Sequence, residues 1–159
     1  MDRRYKAFIS YSWSDKDWGR WLHQALEIYR TPGVLVGRET AIGPVPASLH
    51  PIFRDREEEA AGHGIGAAIE AAMAASEFLI VICSPRSAQS QWVNREVAWF
   101  KRHKDKTRIL ALVIEGEPGA SFIAGRAAEE CFPRTLLYAV DDNLQPTDVR
   151  EDAPLAADA

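Results

Sequence analysis

Trp92 and Glu96 stand four residues apart in SPRSAQSQWVNREVAWF, directly behind the apolar run Phe78 to Cys83 (FLIVIC). On a helix this spacing stacks the two side chains on one face, so an indole and a carboxylate would project together from the end of a buried strand. A ligand held there would meet one negative charge and one aromatic wall, and strand ends are where open α/β proteins hold their ligands. In the competing arrangement Trp92 packs beside the core stripe Val93, Val97 and Phe100. Glu96 is then an ordinary helix charge next to Arg95 and Lys101, worth under about 1 kcal/mol. The elements around the pair must decide between these readings.

Those elements alternate. Lys6 to Tyr11 (KAFISY) has the composition of a strand, and DWGRWLHQALEIYR follows with Trp18, Trp21, Leu22, Ala25, Leu26 and Tyr29 at helical period. Ser14 or Asp15 is placed to cap that helix, and Pro32-Gly33 to end it. Residues 31–50 carry three prolines and three glycines without periodicity and read as an irregular crossing loop, longer than most connections. Pro51 to Arg54 suits a short second strand, followed by a charged and then glycine-rich loop. Ile65 to Ala75 is a helix of small residues fit for close packing on a sheet. Phe78 to Cys83 is apolar on both faces, as a central parallel strand must be. Ser84 or Ser90 caps the helix that carries Glu96. Ile109 to Ile114 forms a fourth strand and Thr135 to Val140 a fifth. Strands alternating with helices predict a parallel sheet covered on both sides, a three-layer α/β sandwich.

The 159 residues fit one domain. The formal charge of −4 is concentrated at the end: residues 139–159 hold six acids and one Arg, leaving 17 acids against 18 bases before them. A nearly neutral body lacks the basic excess of a nucleic-acid binder. No apolar run approaches a membrane span, and MDRRYKAFIS lacks a signal peptide's apolar segment, so a cytoplasmic protein is expected. Cys83 and Cys131 suit buried reduced thiols. The scattered histidines His23, His50, His63 and His103 have no ligand spacing, so no metal is expected. The glycines of Gly62-His63-Gly64-Ile65-Gly66 follow no strand directly and read as a mobile loop rather than a dinucleotide fingerprint. A GxSxG elbow, a Walker loop and paired catalytic carboxylates are absent. Residues 1–140 are expected to form the domain, and the acidic stretch 141–159 a tail or an incomplete final unit.

FISYSWSD at the first strand, FRDREEEAAG at the second, and SPRSAQSQWVNRE after the third resemble, in order and separation, a Toll/interleukin-1 receptor (TIR) domain of the bacterial kind. The resemblance covers about residues 5–140. It implies a flavodoxin-like fold with a central five-stranded parallel sheet, and one of two roles. One is cleavage of NAD+, as substrate and without any further cofactor; the other is non-catalytic scaffolding through TIR–TIR contacts. By this resemblance Glu96 matches the catalytic glutamate, with Trp92 beside it. Ser10, Tyr11, Ser12 and Trp13 match the strand end that contacts the nucleotide. Asp55 and Gly62 lie in the stretch matching the loop that admits NAD+ and touches neighbouring protomers. Where animal adaptors carry a proline in that loop, Glu57 to Ala61 stand here. The resemblance further implies activation by self-association, a sensor domain outside this chain, and a part in antiphage defence.

A single carboxylate suits NAD+ cleavage. Nicotinamide leaves as a neutral pyridine and needs no general acid, unlike the oxygen leaving group of ordinary glycosides. Positive charge then builds on the ribose, and a fixed anion stabilises it.

Overall fold

The computed structural model describes residues 4–55 and 65–159. Strand β1 (Tyr5–Ser10) leads through a 3₁₀ turn, Trp13–Asp15, into helix α1 (Lys16–Ile28). The connection after α1, expected to be irregular, contains the short antiparallel hairpin β2 (Glu39–Thr40) and β3 (Gly43–Pro44). Then come β4 (Ile52–Arg54), α2 (Ala67–Ala74) and β5 (Ser76–Cys83). The short helix α3 (Pro85–Gln89) is followed by α4 (Gln91–His103), and this by β6 (Ile109–Val113). The chain continues through α5 (Arg134–Leu137), β7 (Tyr138–Val140), β8 (Pro146–Arg150) and β9 (Leu155–Asp158).

Among the described residues the main sheet has five strands in the order β4-β1-β5-β6-β9, every neighbouring pair parallel. Numbered as sheet strands this is 2-1-3-4-5, the flavodoxin-like order, whose direction reverses between β1 and β5. Phe8, Leu79, Val81, Ile109 and Ala111 share one buried cluster with Met73 of α2, Val93, Val97 and Phe100 of α4, and Leu136 of α5. The other face, Ala7, Ile9 and Ile82, packs on Leu22 of α1. Period-two alternation along β1 therefore feeds two layers, as expected for a sheet buried on both sides.

One expectation is corrected. The fifth sheet strand is Leu155–Asp158, not Thr135 to Val140: residues 134–137 are helical, and Tyr138–Val140 pairs antiparallel with β8 in a separate ribbon. Residues 141–159 contain the strands β8 and β9. β9 escapes a periodicity reading because its strand LAAD is short, and all four residues stay exposed. What ties this region down is nonlocal. Lys101 on α4 donates to the carbonyls of Thr135 (2.9 Å) and Tyr138 (3.0 Å) and forms an ion pair with Glu151, which Lys106 also meets at 2.7 Å.

In α1 the apolar stripe is wider than the face it covers. Leu22 is buried, but Trp18 and Trp21 remain 39% and 53% exposed, with their rings edge-to-face at 5.6 Å.

Candidate active site at the switch between β1 and β5

The end of β1 sends successive side chains to opposite faces. Phe8 and Ser10 point to the layer of α4, and Ile9 and Tyr11 to the layer of α1. Ser10 Oγ donates a 2.7 Å hydrogen bond to Glu96 Oε1, both residues being buried. Glu96 is 1% exposed, which removes the reading of a solvated surface charge. Helix α4 accounts for this placement. Ser90 caps it by accepting from Val93 N at 3.2 Å, Val93, Val97 and Phe100 bury one stripe, and Glu96 sits at the margin of that stripe facing β1. A carboxyl group taken this far from water needs directed partners, and the short Ser10 hydroxyl contact is one. Trp92, a turn earlier on the same face, is half-buried.

Tyr11 turns the other way. Its ring packs so closely over α1 that a Cβ at Gly19 would lie 3.1 Å from it, and its hydroxyl donates to the Asp55 carbonyl. Burial pushes the Tyr11 phenol above its ordinary pKa, partly offset by Arg54 alongside. Asp55, just past β4, is buried. Ser12 Oγ accepts from Ser14 N at 3.3 Å and caps the 3₁₀ turn, and half-buried Trp13 carries the Lys16 ammonium 5.1 Å from its ring centroid. Gly62 lies outside the described residues. Of the residues singled out in the sequence, Ser10 and Glu96 make direct contact, and Tyr11 and Asp55 make another. Ser12 and Trp13 follow in the loop above β1.

One group was missed. Asp15 occupies the N-cap position of α1 but makes no side-chain cap there. Its buried carboxylate accepts from Ser84 Oγ at 2.5 Å and from Arg86 Nε at 2.7 Å, and Arg86 Nη1 reaches Glu115 Oε2 at 3.1 Å. These two carboxylates raise the Arg86 pKa through their hydrogen bonds, Asp15 first. The only sequence signal was an acid closing SWSD and a serine opening SPRS, both of which also fit ordinary caps.

Buried at the end of β1, the Ser10–Glu96 pair places one carboxyl group at the reversal of strand order, with Trp92 a turn earlier on the same helix. In its ionised form such a carboxylate can stabilise a cationic centre on a ligand. Among the described residues no cluster of three or more His, Cys, Asp or Glu is disposed to hold a metal, and no helix is long and apolar enough to cross a membrane. The chain is 35% identical over 117 residues to the NAD(+) hydrolase ApTIR of Actinoplanes sp., a match covering 72% of this chain and 14% of that relative's length. The family model described as TIR domain matches residues 7–152, nearly the whole chain, and with the flavodoxin-like sheet this establishes that the chain belongs to the TIR domain family.

Proposed function

We propose that this domain is an NAD+ nucleosidase that breaks the bond between nicotinamide and ribose C1, with Glu96 as its catalytic carboxylate. The observation that carries the reading is the burial of Glu96 against Ser10 at the switch between β1 and β5. The likeness to a relative named as an NAD(+) hydrolase supports it. NAD+ is the substrate, and no resident cofactor takes part.

As the bond breaks, its electron pair stays on the nicotinamide nitrogen, which becomes neutral, and the positive charge passes to the ribose. Glu96 stabilises that charge, and it acts strongly because a buried carboxylate is poorly screened. Ser10 holds the carboxylate in place. Trp92 forms a wall for the departing ring and limits access by bulk water. Tyr11, Ser12, Trp13, Asp55 and Gly62 border the nucleotide. Water attacking C1 gives ADP-ribose and releases one proton, whereas attack by a group of the same nucleotide gives a cyclic isomer.

With Glu96 only 1% exposed, substrate entry requires part of the surrounding chain to move. Self-association through TIR–TIR contacts supplies that opening in our reading, under the control of a sensor region outside this chain. The domain acts in the cytoplasm, without a nucleic-acid or membrane partner, and depletes NAD+ or makes a nucleotide signal in antiphage defence.

The test is to incubate concentrated protein with NAD+ and follow nicotinamide release beside a folded Glu96→Ala variant. Release lost in the variant is the expected result. Equal rates in both proteins overturn the role of Glu96. Silence from both, while light scattering shows association, favours the alternative of a non-catalytic scaffold.

A further inference from the structure

Two of the contacts among the described residues bear on where Glu96 sits, one direct and one through the chain. The first tie is Ser10 at the end of β1. The second lies five residues further along the same loop, where Asp15 accepts from Ser84 and Arg86. Ser84 directly follows β5 and caps α3 reciprocally: its Oγ accepts from Ser87 N at 3.1 Å, while Ser87 Oγ accepts from Ser84 N at 2.8 Å. From there to Glu96 the chain is continuously hydrogen-bonded. Ala88 N bonds to Ser84 O, Ser90 N to Ser87 O, and Asn94 N to Ser90 O, and Ser90 is both the last cap of α3 and the first cap of α4. The contacts therefore form a closed ring: Ser10, the β1 exit loop, Asp15, Ser84, α3, Ser90, α4, Glu96 and back to Ser10.

We infer that the Asp15–Arg86 pair is a positioning clamp for the reaction, setting the register of α4 on β1 and so the placement of the Glu96 carboxylate. The inference rests on the nucleosidase reading. Asp15 is 4% exposed, and among the described residues it is the Arg86 guanidinium that meets its carboxyl group. Arg86 also bonds Glu115 beyond β6, which joins the loops after β1, β5 and β6 at the C-terminal end of the sheet. The apolar stripe Val93, Val97 and Phe100 and the Lys101 contacts hold α4 on the sheet further along, whereas the Asp15 tie acts at the start of the segment that leads into it. That polar tie sets where the segment from Ser84 to Ser90 sits and so the entry of α4, and reaction rates are sensitive to displacements of about 1 Å.

The experiment compares the parent, Asp15→Asn, Arg86→Met and Arg86→Lys, with Arg126→Ala as a control that breaks an exposed pair to Glu129 elsewhere. Nicotinamide release gives kcat and KM, and hydrogen–deuterium exchange reports on residues 84–96. The clamp predicts that kcat falls about tenfold or more in Asp15→Asn and Arg86→Met, with KM within about threefold. Exchange over 84–96 should accelerate in both, and Arg86→Lys should recover much of the loss. The half-exposed Arg86 side chain keeps the test open if Asp15→Asn does not fold. Parent-like kcat in folded variants overturns the clamp. So does a rate loss equal to the unfolded fraction with unchanged exchange. If the parent itself releases no nicotinamide, the nucleosidase reading fails, and exchange alone judges the coupling: faster exchange upholds it and unchanged exchange overturns it.

Discussion

Ser10 and Glu96, 86 residues apart in sequence, share a 2.7 Å hydrogen bond between a buried hydroxyl and a buried carboxylate. The contact joins the last residue of β1 to the middle of α4, where the strand order of the sheet reverses.

Removing the hydroxyl should weaken both stability and the proposed activity. In Ser10→Ala the carboxylate loses a charge-assisted bond, a change of about 1.5–3 kcal/mol. We expect the urea midpoint to fall and nicotinamide release to slow by on the order of tenfold. A Ser10→Thr variant, which keeps the donor, should stay closer to the parent in rate.

Burial pushes the Cys131 thiol up to about 12 and holds Cys83 well above its ordinary value. A folded-state pKa above the unfolded one means that the unfolded chain loses its proton first, so stability is full below about 8.5 and declines as pH rises toward 12. Urea unfolding between pH 8 and 11 should show this decline, and Cys131→Ala should make it shallower. Thiolate is also the reactive form, so iodoacetamide at pH 8 should label both cysteines only after denaturation.

Glu151→Gln should destabilise the protein by about 1–2 kcal/mol, because the mostly buried Lys101 ammonium keeps two carbonyl acceptors but loses its anionic partner. A lower thermal midpoint, with little change when Lys106 is also replaced by Met, would locate the effect in Lys101. An equal loss from Lys106→Met alone would argue against it.

At Gly116 the backbone has φ of +89°, and an added Cβ would lie 2.6 Å from the Glu129 carbonyl oxygen. Both the left-handed conformation and the contact with backbone oppose a side chain. Gly116→Ala should cost roughly 2 kcal/mol or more, read as a shifted urea midpoint. A parent-like midpoint would mean that the loop after β6 yields easily.

Local pattern carried much of this architecture. The apolar runs at β5 and β6, the helical period of α4 and the alternation of strands and helices are properties of contiguous residues, and they announced a parallel α/β sheet with Trp92 and Glu96 at a strand end. Tertiary structure decided what depends on residues far apart. The fifth strand is LAAD, a short segment that becomes a strand by pairing with β6 rather than by its own pattern. Asp15 reads as a helix cap until folding brings Ser84 and Arg86 to it, about 70 residues on. Glu96 looks like a surface charge on its own helix, and only the approach of β1 makes it a buried carboxylate held by Ser10. Side-chain periodicity records which face of an element is apolar, but the partner of a single polar atom is set by which elements pack together.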